Sequence, residues 1–152
     1  MKPIFTFPQP RRRLAEQSFH LKDRKPVRTN GATALRTRDY LPILFDFQKP
    51  NSKDLTGTIT TLANMARFVI ADLTDPSSVP HELAMIVPGT VVPVQTILLE
   101  GQREYAMFAD LKKRYHWVLE PYQYEFEDWL KEHLGDGVIG PAEAKADELS
   151  RK

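Results

Sequence analysis

The chain has 152 residues, a length that favours one domain. It contains no cysteine, which excludes a disulfide scaffold, a thiolate metal site and a cysteine nucleophile. The formal net charge is +1, but residues 1–40 carry ten Lys/Arg against three Asp/Glu and the remainder eleven against seventeen, so a basic arm precedes a mildly acidic body.

Leu, Ile, Val and Phe make up 40 of the 152 residues, more than disordered chains carry. No apolar run approaches the ~18 residues of a membrane span, so no membrane association is expected. The opening MKPIFTFPQPRRR places its basic residues after its apolar ones, the reverse of a secretory signal, and the expected location is cytoplasmic.

Residues 1–31 form a basic, poorly defined segment. IFTF (4–7) is its one strand candidate, hemmed in by Pro3, Pro8 and Pro10. RRRLAEQSFHLKDRK (11–25) has helical spacing and is broken by Pro26 and Asn30-Gly31. From Ala32 the pattern sharpens. LPILFDF (41–47) is the apolar run of a buried strand, followed by the turn residues Lys49-Pro50-Asn51-Ser52. A helix then places Leu55, Ile59, Leu62 and Met65 on one face. RFVIADLT (67–74) is a strand, apolar until Asp72, and 79–87 a short helix with Pro80 in its first turn. VVPVQTILL (91–99) is a strand in which Pro93 is awkward for a central position. EYAMFADLKKRY (104–115) is amphipathic, with Tyr105, Phe108, Leu111 and Tyr115 inward. WVLEPY (117–122) is a short strand ending near Glu120, FEDWLKEHL (126–134) a helix closed by Gly135, and 141–152 a polar helix or tail.

Strands and helices alternate with connections long enough for crossovers. That is the signature of an α/β fold with an open, mostly parallel sheet, helices on both faces and an atypical N-terminal segment. The domain proper spans residues 32–140.

In such a sheet, ligands bind at the carboxyl ends of the strands, near a switch in strand order. Asp46 ends the first clear strand, Asp72, Thr74 and Asp75 end the second, Glu82 lies in the helix just after it, and Glu120 ends the fourth. The densest cluster is ADLTDPSSVPHEL (71–83), which also holds Ser77, Ser78 and His81. Paired carboxylates there can bind ribose hydroxyls and stabilise an oxocarbenium-like centre, and a glutamate can attack an anomeric carbon. The loop amides and the helix start can hold a phosphate. Ordinary turn, cap and helix-dipole preferences account for the same Asp, Thr, Ser and Glu residues without any ligand.

No GxGxxG, Walker loop, HExxH or GxSxG occurs, and His20, His81, His116 and His133 lack metal-ligand spacing, so no metal and no resident cofactor is expected. Trp117, Trp129, Tyr105, Tyr115, Tyr122 and Tyr124 read as core or edge packing. The basic arm, with Arg11, Arg12, Arg13, Lys22, Arg24, Lys25 and Arg28, has no recognisable nucleic-acid module, and a solvated tail is preferred to nucleic-acid binding.

RDYLPILFDFQKP (38–50), LTGTITTLANMARFVIADLT (55–74) and SSVPHEL (77–83) together resemble the TIR-like domain found at the C-terminus of some bacterial pentapeptide-repeat proteins. MFADLKKRYHWVLEPYQY (107–124) and IGPAEAKADEL (139–149) are similar to it as well, so the resemblance covers about residues 36–150. It implies a TIR- or flavodoxin-like fold. More distantly, ADLTDPSSVPHEL is similar to a segment of nucleoside deoxyribosyltransferases. Glu82 then falls on the glutamate those enzymes use at the ribose C1′, Asp72 falls on their strand-end aspartate, and Val79 and Leu83 match too. Ser77 and Ser78 stand where an Asn-Pro-Asn is usual, and the Trp-Cys pair of TIR NAD hydrolases is missing. Residues 1–31 do not match the family.

The resemblance implies a nucleotide ligand, with NAD or a related nucleotide as substrate. Glu82 is then the catalytic carboxylate, and Asp46, Asp72, Thr74, Ser77 and Ser78 line the nucleotide site. The alternative is a non-catalytic module that assembles with itself or with a partner signalling domain, and the nucleotide reading is slightly preferred to it.

Overall fold

The computed structural model describes residues 2–7, 35, 38–44, 55–74 and 79–151. Its centre is a five-stranded sheet of β1 (Lys2–Phe7), β2 (Tyr40–Leu44), β3 (Val69–Asp72), β4 (Val94–Leu99) and β5 (Tyr122–Tyr124), in the order β2-β1-β3-β4-β5. Every pairing is parallel. This is the strand order of flavodoxin-like doubly wound sheets. The crossovers from β2 onward carry α1 (Leu55–Met65), α2 (Val79–Ile86) and α3 (Ala106–Arg114), and α4 (Glu127–His133) and α5 (Gly140–Ser150) follow β5.

The IFTF segment forms β1 and sits between β2 and β3. Pro3 lies opposite Leu41 of β2, in the part of β1 that precedes its pairing with β3, which begins at Phe5. Pro93 falls one residue before β4, where its missing N–H costs no ladder bond, while its carbonyl accepts from Val69 N at 2.8 Å.

Alternation along the strands divides the core into two layers. Val69, Ala71, Val94 and Leu98 face Ile59 and Ala63 of α1, Leu83 and Ile86 of α2, and Phe108 and Leu111 of α3. Ile70 and Ile97 face the other way, with Tyr124, against Leu130 of α4, Val138 and Ile139, and Ala142 of α5. The inward positions expected of α3 hold: Phe108 and Leu111 are buried, and Tyr105 and Tyr115 pack against the same cluster.

Three sequence expectations are corrected. Met65 is 64% exposed; the buried residues here are Ile59 and Ala63 of α1 and Ala66 just after it, so the inward face passes beside Met65 rather than through it. The last strand is Tyr122–Tyr124, not 117–122: Val118 makes only an isolated bridge to Val94, and Pro121 interrupts the run. Gly135 does not end α4. The chain widens into a π-helical segment, Leu134–Ile139, and continues directly into α5. There Gly137 lies against the Tyr122 ring so closely that a Cβ would overlap it. Tyr122 stacks on Trp129 (5.6 Å between ring centroids), and Trp129 on His133 (4.2 Å).

Residues 141–150 are packed as α5, with Ala142 and Ala146 buried. Glu143 ties α5 to the sheet: it accepts from the Tyr40 hydroxyl at 2.6 Å and from Arg67 at 3.0 Å, and Arg67 also pairs with Asp147.

Candidate functional site at the carboxyl edge of the sheet

The chain leaves β1 toward β2 on one side and returns to β3 on the other, so the strand order switches between β1 and β3. The crevice beyond their carboxyl ends is where open α/β sheets take ligands. β3 ends there at Asp72, because the apolar run Val69-Ile70-Ala71 terminates in a carboxylate that remains half-buried at the sheet's edge.

Asp72 Oδ1 accepts from the backbone N–H of Thr74 at 2.9 Å, an Asx-type turn that steers the chain out of the strand. The Thr74 hydroxyl oxygen accepts from Leu99 N at 3.1 Å and lies 3.2 Å from the Tyr124 hydroxyl. Leu99 and Tyr124 are the last residues of β4 and β5 and are paired in register. Three strand ends are therefore linked by polar contacts through Thr74. Burial pushes the Tyr124 phenol up to about 12, helped by the charge of Asp72, and Glu127 acts in the same direction.

The expected site residues fall as follows. Asp72 and Thr74 are brought together. Glu82 lies in the first turn of α2, the helix reached next after β3. Asp46, Ser77 and Ser78 lie outside the described residues. The Asp72 side chain shares its face with Ile70, Ile97 and Tyr124, whereas α2 packs on the opposite face through Leu83 and Ile86. A ligand meeting both Asp72 and the start of α2 would straddle the top of the sheet.

Glu120 does not reach this edge. It precedes β5, its side chain is 83% exposed, and it pairs with Lys112, while its backbone carbonyl accepts from Gln95 Nε2 at 2.9 Å. Tyr124 takes the strand-end position instead. The reading of Tyr124 as packing holds, since it is 5% exposed and sits in the core; that its hydroxyl also meets Thr74 was not read from the sequence. The available signal was Pro121, which moves the strand past Glu120 and brings a polar-tipped aromatic to its end.

Among the described residues, no group of three or more His, Asp or Glu side chains is arranged to hold a metal ion. Among them, no helix is long and apolar enough to cross a membrane. The chain matches no protein-family model and no curated protein.

Proposed function

We propose that this chain is a TIR-like nucleotide-binding domain that cleaves the N-glycosidic bond of NAD or a related nucleotide. What carries the reading is one arrangement: the β1/β3 switch point is flanked by the strand-end acid Asp72, and the next helix opens with Glu82 in its first turn. In this reading Asp72 accepts from the ribose hydroxyls and Thr74 fixes the chain beside it. Asp46, Ser77 and Ser78 complete the wall and the phosphate-binding loop. The Glu82 carboxylate stabilises, or attacks, the positive centre that develops at C1′. The C1′–N bond breaks, its electron pair leaves with nicotinamide, and water supplies the new hydroxyl with loss of a proton. NAD is the substrate, and no resident cofactor takes part.

The test is NAD consumption by the concentrated protein beside Glu82→Ala. Release of nicotinamide that disappears in the variant supports the reading. No turnover and no NAD binding by a folded sample rejects it.

A second reading, an assembly module without turnover, is favoured by a different observation. Met65 and Met85, on α1 and α2, which pack on the same sheet face, are 64% and 56% exposed, and Val91, just before β4, is 61% exposed. Sedimentation of the same sample tests it: a concentration-dependent dimer that Met85→Lys abolishes supports assembly, and a monomer at all concentrations rejects it.

A further inference from the structure

We propose that Thr74 is the positioning residue of the strand-end acid rather than a contact for the ligand: its hydroxyl pins residue 74 to the ends of β4 and β5, and its own backbone N–H then holds the Asp72 carboxylate at the switch point. The consequence for binding rests on the nucleotide reading above; the arrangement itself does not.

The pinning begins in the strand ladder. β3 and β4 run parallel, with Asp72 opposite Ile97. One residue beyond β3 the pattern still holds, since the Leu73 N–H donates to the Ile97 carbonyl at 2.9 Å. In a continued parallel ladder the next bond would run from the Leu99 N–H to the Leu73 carbonyl. The Thr74 hydroxyl oxygen takes that N–H instead, at 3.1 Å. A side chain thus stands in for the ladder, and the backbone leaves the strand while still fastened to β4.

The same oxygen lies 3.2 Å from the Tyr124 hydroxyl. Tyr124 is packed in the core with Ile97 and Leu130, and its carbonyl accepts from the Glu100 N–H at 2.8 Å, just past the end of β4. Both partners of the Thr74 hydroxyl are therefore fixed points. A hydroxyl offers one donor and two acceptor positions, and Leu99 and Tyr124 take two of them. Only the χ1 torsion separates this hydroxyl from the Thr74 amide, and χ1 is restricted in a β-branched residue. That amide donates to Asp72 Oδ1 at 2.9 Å. A carboxylate held in one orientation meets ribose hydroxyls without first losing side-chain freedom, which is how a positioning group improves a site it does not touch.

The experiment compares the wild type with Thr74→Val, which keeps the shape and loses the hydroxyl, and Thr74→Ser, which keeps the hydroxyl. Nitrogen–proton NMR follows the amide of residue 74 through an acid titration. An amide that donates to a carboxylate shifts when that carboxylate takes up its proton. The wild-type and Thr74→Ser amides should therefore move at the Asp72 titration, Asp72→Asn should abolish the movement, and in Thr74→Val it should be largely lost. NAD affinity is measured in a Glu82→Gln background so that nothing turns over. It should fall roughly five- to tenfold in Thr74→Val, the worth of about one hydrogen bond, and return in Thr74→Ser. An amide shift undiminished in Thr74→Val overturns the proposal; if NAD affinity falls all the same, the hydroxyl meets the ligand directly. If Thr74→Val does not fold, the wild type and Asp72→Asn serve alone. A wild-type Thr74 amide with no shift that depends on Asp72, or a Leu99 amide with no protection from solvent exchange, also overturns the proposal. A wild type that shows the shift but binds no NAD overturns the nucleotide reading and leaves the hydrogen-bond arrangement standing.

Discussion

The hydroxyl of Tyr40 donates to Oε1 of Glu143 at 2.6 Å, joining the first residue of β2 to α5 across 103 residues of chain. Glu143 also takes the Arg67 guanidinium at 3.0 Å, so one carboxylate fastens the starts of two strands to a single helix. Replacing Tyr40 with Phe keeps the ring and its edge contact with Phe68, at 5.5 Å, and removes only the donor. The expected loss is about 1–2 kcal/mol, as for a hydrogen bond to a charged group. Urea denaturation of the wild type and Tyr40→Phe measures it, and a cycle with Glu143→Gln isolates the pair.

Tyr40 and Tyr124 should make the fold sensitive to alkali. Burial raises the Tyr40 phenol above its ordinary value, reinforced by its bond to Glu143, and burial carries Tyr124 to about 12. A folded-state pKa above the unfolded value of about 10 means that the unfolded chain releases its protons first as pH rises. Their contribution is therefore complete below about pH 10 and falls away as pH rises toward and through 12. Denaturation midpoints at pH 9 and pH 11.5 should differ in the wild type, and differ less in Tyr40→Phe and Tyr124→Phe.

Thr96 lies at the centre of β4, fully buried, and its hydroxyl has no hydrogen-bond partner among the described residues. A buried polar atom left unpaired is a cost, and Val has nearly the same shape. Thr96→Val should stabilise the protein by up to about 1 kcal/mol, raising Tm by ~2–4 °C in a domain of this size. Calorimetry checks it.

Gly137 is a packing glycine. A Cβ there would overlap Cζ of the Tyr122 ring, which is itself stacked on Trp129. Gly137→Ala should destabilise by about 1–3 kcal/mol, the usual cost of forcing atoms into a filled space. In a Tyr122→Leu background the same change should cost much less, and thermal denaturation of the four proteins reads the difference.

How much of this was legible in the sequence depends on the range of the interactions. The parallel α/β layout was, because apolar runs such as Val69–Ala71 alternate with amphipathic stretches such as Ala106–Arg114. Asp72 was legible as a strand end, since a carboxylate after an apolar run marks where the sheet meets solvent. Tyr124 was not, because its importance lies in meeting Thr74, 50 residues away in the chain. Gly135 and Gly137 look like helix stops in a sequence; one of them serves the approach of Tyr122, and no local rule distinguishes the two uses. The edge position of Met65 was misjudged for a similar reason: helical spacing defines a face, but only the neighbouring sheet decides how wide that face is.

The uninterrupted run from α4 through the π segment into α5 also has a consequence during synthesis. One face of the sheet is covered by α1, α2 and α3, which leave the ribosome soon after the strands they protect. On the other face, Phe68, Ile70 and Ile97 cluster with Leu35 and with Leu130, Leu134, Val138, Ile139 and Ala142, the last five all from one late stretch of chain. At ~5–20 residues per second, Phe68 and Ile70 wait on the order of seconds for that cover. For that interval the second face lacks much of its cover, and there a chaperone or a wrong partner competes with the protein's own last helix.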